Sequence, residues 1–138
     1  MTQQQSAEQT LEGLREHLAH SSPGTRLITP SDADFEKTRL CFIRRDDAAP
    51  LAIARPQTAE DVCALVRYCV DRGVDFVVRA GGHDCCGRSQ VRGALSIDVR
   101  DIAHVHVAED RQTARVGGGV VFRDLAKVLD AHGLITPV

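Results

Sequence analysis

The sequence predicts an α+β fold in which a βαβ unit leads into mixed or antiparallel strands. Two observations predict it. Residues 51–79 read as strand, capped helix and strand within about 30 residues, the span of a βαβ unit. Further on, "HVHVA" (104–108) alternates polar and apolar residues, "EDRQ" turns, and "TARVG" (113–117) runs back, which is a hairpin pattern. A chain of 138 residues is long enough for one domain with its own core.

The elements follow in order. Residues 6–20 form an amphipathic helix with Leu11, Leu14 and Leu18 on one stripe, and "HSSPGTR" breaks it. "SDADFEKTRLCF" opens with Ser31 and carries Asp34 three residues later, a capping-box spacing that predicts a second short helix. "RRDDAAP" is a polar connector. In "PLAIARP", Leu51, Ile53 and the neighbouring alanines form a short strand that Pro56 stops. Thr58 and Asp61 make another capping box. Val62, Leu65, Val66, Cys69 and Val70 then define one apolar helix face, and Gly73 sits where a left-handed residue closes the helix. "DFVVR" (75–79) is a strand rich in β-branched residues, expected to lie parallel to the first. "ALSIDV" is the next strand. After the hairpin, Gly117, Gly118 and Gly119 precede a helix with Val121, Leu125, Val128 and Leu129 on one side, ended by Gly133. "LITPV" is extended and apolar and calls for a pairing partner, so the chain is expected to be a fragment or a truncated product.

Composition excludes several classes. Apolar residues make up 43% and charged residues 26%, the balance of a globular chain rather than a disordered one. With no Trp, one Tyr and four Phe there is little to stack on bases, and a net charge of −2 with scattered Lys and Arg gives no phosphate-backbone footprint. Neither nucleic acid nor a membrane is expected as a partner. The polar N-terminus has no secretory h-region, and no run reaches the length of a membrane span. The five cysteines are an odd number and are read as reduced thiols, with a cytoplasmic location expected. Cys41, Cys63 and Cys69 are expected to be inert. Of these only Cys69 lies on the helix stripe, and Cys63 is expected to be partly exposed.

The stretch "VVRAGGHDCCGRS" (77–89) concentrates the chemistry. Gly81 and Gly82 follow a strand, and glycine amides admit close approach of an anion. A plain tight turn accounts equally for two adjacent glycines. The loop does not fit G-x-G-x-x-G, "GGGVVF" (117–122) fails that pattern at its last position, and there is no G-K-[ST]. A metal reading takes His83, Asp84, Cys85 and Cys86, with His104 and His106 nearby in sequence. Zinc sites, however, space their cysteines by two to four residues. A thiol-nucleophile reading pairs Cys85 with His83 as base. The residues alone leave these readings open.

Taken together, "ARPQTAEDV", "LVRYCVDRGVDFVVRAGGHDCCGRS", "ALSIDVRDI" and "ARVGGGVVFRDLAKVLDAHGLITPV" resemble the N-terminal half of the FAD-binding domain of flavoprotein oxidases. This is the vanillyl-alcohol oxidase-like superfamily with a PCMH-type FAD domain, and within it the berberine bridge enzyme-like and 6-hydroxynicotine oxidase-like group. The combination of R-x-G-G-H after a strand, then I-D, then V-G-G-G, then a helix ending in H-G-L carries the likeness over roughly residues 26–138. The resemblance implies an N-terminal βαβ subdomain followed by the start of a second α+β subdomain, with residues 1–25 as a helical extension. It implies that Arg79, Ala80, Gly81, Gly82, His83 and Asp84 cradle the FAD diphosphate, with Gly87 and Ser89 nearby and Arg79 compensating phosphate charge. It places Gly117, Gly118, Gly119, Thr136, Pro137 and Val138 close to the cofactor. His83 stands where many members join the flavin covalently. Cys85 and Cys86 depart from the pattern and inherit no role. The implied activity is an oxidase that passes a hydride from an alcohol, amine or sugar carbon to FAD and on to dioxygen. No residue of this chain is assigned as catalytic acid or base. The alternatives are a non-catalytic remnant and a metal-binding module using His83, Cys85 and Cys86.

Overall fold

The computed structural model of the chain describes residues 3–137. The elements are α1 (Gln3–Ser21), β1 (Arg26–Ile28), α2 (Phe35–Arg39), β2 (Ala52–Arg55), α3 (Ala59–Arg72), β3 (Phe76–Arg79), β4 (Leu95–Asp98), a 3₁₀ turn (Val99–Asp101), β5 (Val105–Val107), β6 (Ala114–Val116) and α4 (Phe122–Ala131). Four strands form one sheet in the order β1-β2-β4-β3, and β5 pairs with β6 in a second. The α+β expectation is met. β2 and β3 run parallel as expected, but β4 lies between them and pairs with both. The crossover through α3 therefore skips one strand position.

Period-two patterning sets which side of β2 faces which layer. Ala52 and Ala54 point toward the helices and, with Leu95, Ile97 and Val99, meet Leu14, Leu18, Leu65, Tyr68 and Cys69. Ile53 points the other way, into a smaller cluster with Ile28 and Phe35. The alanines leave room for α1 and α3 to pack close to the sheet. The segment read as an extension thus contributes two leucines to the main core. Gly13 also belongs to this contact: a methyl group there would come within 2.9 Å of the Tyr68 hydroxyl.

The capping box at α3 forms as predicted. The Thr58 hydroxyl accepts from the Asp61 amide at 3.1 Å, and the Asp61 carboxylate accepts from the Thr58 amide at 3.0 Å. Gly73 closes the helix with φ 63°. Three expectations are corrected. Ser31 and Asp34 form no capping box: α2 begins at Phe35 with Asp34 as its N-cap but no side-chain cap bond, because Asp34 pairs with Arg26. Val70 is 69% exposed, while Tyr68 is buried in its stead. The packed face centres on Leu65 and Cys69, and Val70 falls about 100° beyond Cys69. Strand β1 was missed: its first residue, Arg26, ends the stretch read as a helix breaker, and Leu27 and Ile28 were assigned to no element. Its three residues are held by antiparallel pairing to β2, a tertiary contact no local pattern reports.

Thr58→Ala is expected to lower unfolding free energy by about 1 kcal/mol, read as a lower urea midpoint at unchanged slope; an unchanged midpoint would remove the cap from the account. Burial pushes the Cys69 thiol up to about 11, while Cys63, Cys85 and Cys86 are exposed. Native-state alkylation should therefore label those three and spare Cys69 until denaturant is added, which peptide mass mapping would reveal.

Candidate functional site

The parallel strands β2, β3 and β4 end at one edge of the sheet, at Arg55, Arg79 and Asp98. Ligands of open parallel sheets gather outside the carboxyl ends of strands. Three segments meet at this edge: the loop after β3, the 3₁₀ turn after β4, and residues 38–43.

Beneath the loop lies a buried ion cluster. Asp98 is fully buried and accepts from Arg100 Nε at 2.9 and 3.0 Å and from the Arg100 amide at 3.1 Å. Arg79, 5% exposed, approaches the same carboxylate at 3.7 Å. Its Nη1 donates to the Thr38 carbonyl and its Nη2 to the Leu40 carbonyl at 2.6 Å, and Arg100 Nη2 reaches the Thr38 carbonyl at 3.3 Å. Two guanidiniums thus share one carboxylate, leaving a surplus positive charge. Burial, with Arg100 beside it, lowers Arg79 from its ordinary value, whereas the Asp98 hydrogen bonds raise Arg100. An arginine stays charged through such shifts.

The glycine loop rests on this cluster. Gly82 is buried with φ +72°, and a Cβ there would come within 3.2 Å of both Arg79 Nε and Cys41 Sγ. Arg79 Nε is itself buried without a hydrogen-bond partner. The Gly82 carbonyl accepts from the Phe42 amide at 2.9 Å. Among the described residues, the amides of Gly81, Gly82 and His83 donate to no other group. Further along, Asp84 accepts from the Arg88 amide and from its guanidinium at 2.8 Å, which holds the carboxyl below its usual range. Gly87 turns with φ +69° under the Arg45 side chain, and Gln90 is tied to the Ile43 carbonyl at 2.6 Å. Unpaired consecutive amides above a buried cation suit an oxyanion such as a diphosphate. The residues present therefore fit the phosphate end of a dinucleotide.

The predicted site residues separate into groups. Ala80, Gly81, Gly82, His83, Asp84, Gly87 and Ser89 lie on this one loop. Arg79 stands at its base, but its guanidinium is committed to carbonyls and to Asp98 and supports the loop from below. Gly117 and Gly119 are buried against the chain leaving β4: added Cβ atoms would meet the Ile102 and Val99 carbonyl oxygens at 2.0 and 1.7 Å. Gly118 is exposed with open space before it. Thr136 lies with Leu134 and Ile135 beside α4 and the hairpin, and Pro137 is exposed. Val138 lies outside the described residues. Among the described residues no three His, Cys, Asp or Glu side chains converge as a metal site, so the module of His83, Cys85 and Cys86 finds no geometry. Cys85 and Cys86 are the two central residues of a turn closed by the Gly87 amide donating to the Asp84 carbonyl at 3.1 Å, and both are exposed. Sequence reasoning missed Phe42, Gln90, and the pairing of Asp98 with Arg100. The only local signal was the two-residue spacing of Asp98 and Arg100 at a strand end.

An α+β sheet with a glycine loop over a buried arginine at its carboxyl edge has the architecture of a cofactor-phosphate-binding protein. Residues 50–138 match the FAD binding domain family, and the chain belongs to it. It is 35% identical over 108 residues to (R)-6-hydroxynicotine oxidase of Paenarthrobacter nicotinovorans, covering 78% of this chain and 24% of that protein. It is 33% identical over 119 residues to the FAD-linked oxidoreductase aurO of Gibberella zeae, covering 86% and 24%. The crystal structure of 6-hydroxy-D-nicotine oxidase from Arthrobacter nicotinovorans superposes with a TM-score of 0.75 at 34% identity, over 80% of this chain and 24% of that one. Wild-type Physcomitrella patens BBE-like 1 gives 0.75 at 28% identity, over 86% and 26%. The chain thus spans about a quarter of the length of these relatives. FAD is the cofactor of this family of oxidoreductases, and the PCMH-type fold is the one expected.

Replacing Asp98 with leucine would leave the buried Arg79 guanidinium and the half-buried Arg100 guanidinium without their carboxylate and is expected to cost about 3–5 kcal/mol. Thermal or urea unfolding measures it, and a loss below about 1 kcal/mol would deny the cluster its structural role.

Proposed function

We propose that this chain supplies the diphosphate-holding part of a flavin-dependent oxidase acting on a small molecule with an oxidisable alcohol, amine or sugar carbon, with dioxygen as the final acceptor. The observation that carries the proposal is the run of unpaired amides at Gly81, Gly82 and His83 above the Arg79–Asp98–Arg100 cluster. These amides would receive the phosphate oxygens. Ala80, Asp84, Gly87 and Ser89 would shape the rim, and Arg79 and Arg100 would stabilise the negative charge through the thin glycine backbone. Gly118 offers an open backbone position from the hairpin side. Thr136 and Pro137 keep the places that the resemblance gives them. When bound, FAD supplies the two-electron chemistry, and the protein orients it.

His83 is the attachment point in this reading. Its ring is exposed, and neither nitrogen has a hydrogen-bond partner among the described residues. An N–C bond would form between the imidazole and the 8α carbon of the flavin. The imidazole and the methyl group would each give up a proton, and two electrons would pass through the ring system to dioxygen. The relatives' names support the reading. One is an oxidase of 6-hydroxynicotine and another is an FAD-linked oxidoreductase.

The test uses the full-length protein purified with its flavin. Wild type should carry flavin that survives acid precipitation and maps to the peptide containing His83, and His83→Ala should carry only flavin released by acid. Acid-stable flavin in His83→Ala would sink the attachment. A wild-type protein that takes up no flavin at all would sink the cradle.

A further inference from the structure

Phe42 is 69% exposed and belongs to neither hydrophobic cluster. Its ring nevertheless lies over the His83 imidazole, with centroids 5.6 Å apart and planes within 14° of parallel. The contact is built from both sides. The Phe42 amide donates to the Gly82 carbonyl at 2.9 Å, fixing the two backbones one residue away from the stacked rings. The segment that carries Phe42 is held upstream by Arg79 at the Thr38 and Leu40 carbonyls and downstream by Gln90 at the Ile43 carbonyl. Both anchoring side chains, Arg79 and Gln90, are buried, so the segment that presents the aromatic ring is held on either side of it.

A histidine that acts through one ring nitrogen is usually oriented by a hydrogen bond at the other. His83 has no such bond among the described residues. What lies against the imidazole instead is a ring face, and the residue is exposed. Offset-stacked aromatic contacts favour one plane while allowing chemistry at the edge. An exposed phenylalanine contributes little to folding in this place, but a fixed imidazole plane contributes directly to a reaction that needs alignment.

We propose that Phe42 is a positioning residue: its ring stacks on His83 and fixes the imidazole plane so that a ring nitrogen meets the flavin in line for attachment. The inference rests on His83 as the attachment point, and two measurements separate the two ideas. The first uses this chain without flavin. The resonances of the His83 ring, assigned among the six histidines with His83→Ala, should be displaced by the Phe42 ring current. They should return to unstacked values in Phe42→Ala and stay displaced in Phe42→Tyr. Identical His83 ring shifts in wild type and Phe42→Ala would overturn the stacking, and with it the proposal. The second follows acid-stable flavin as the full-length apoprotein is given FAD. Phe42→Ala should bind the same total flavin but attach it about 10-fold more slowly or worse, and Phe42→Tyr should restore the rate. Equal attachment rates would overturn the proposal even with the stacking intact. Flavin that binds to wild type yet stays acid-labile would instead overturn the attachment reading, and the positioning role toward flavin would fall with it.

Discussion

Asp98 is the constraint on which the edge of this sheet depends. It is the last residue of β4 and pairs in register with Arg79, the last residue of β3. Its single carboxylate receives Arg100 from the following turn and Arg79 from the neighbouring strand. Burying Asp98 and Arg79 is costly, and such clusters rarely stabilise a fold beyond what packed apolar groups would achieve. What this one does is specify position. Arg79 reaches past Asp98 to two carbonyls of the 38–40 segment, so one buried network joins two strand ends, a turn and a loop that are distant in sequence.

The glycine loop inherits its shape from that network. Gly82 cannot carry a side chain because Arg79 and Cys41 occupy the space and because its φ is +72°. Its carbonyl is used by Phe42, while its amide and those of Gly81 and His83 have no partner among the described residues. Asp84 with Arg88, and Gln90 with Ile43, close the far side of the loop. The free donors are therefore held by contacts made elsewhere, and they need little reordering to receive an anion. The buried positive surplus adds long-range attraction without projecting a flexible side chain into the site.

The elements legible in the sequence were those written in local chemistry. The Thr58–Asp61 box, the Gly73 cap and the β5–β6 alternation each depend on residues a few positions apart, and each formed. The motif around Gly81, Gly82 and His83 was legible as a resemblance, although its residues alone allowed a plain turn, a metal or a thiol site. What stayed hidden depended on residues brought together by topology. β1 exists because β2 offers it an edge. β4 inserts between β2 and β3, which no periodicity can report. The resemblance gives Arg79 a place against the phosphates, whereas its buried guanidinium is turned toward the Thr38 and Leu40 carbonyls. Phe42 looked like the tail of a helix pattern. Its importance comes from lying across from His83, 41 positions later in the chain.

The glycine triplet extends the same logic to the hairpin unit. Gly117 and Gly119 are glycines because the chain leaving β4 presses on them, with carbonyl oxygens where a Cβ would stand. Their amides donate to the His104 and Ile102 carbonyls at 2.8 and 3.0 Å. Only Gly118 is free of such contact. A glycine-rich signature thus serves two purposes, packing at its outer positions and open backbone at its centre. Gly119 touches Val99, the residue after Asp98. The hairpin and α4 are consequently referenced to the same strand end as the loop of Gly82. The geometry between the two glycine-rich segments is set by the few residues from Asp98 to Ile102.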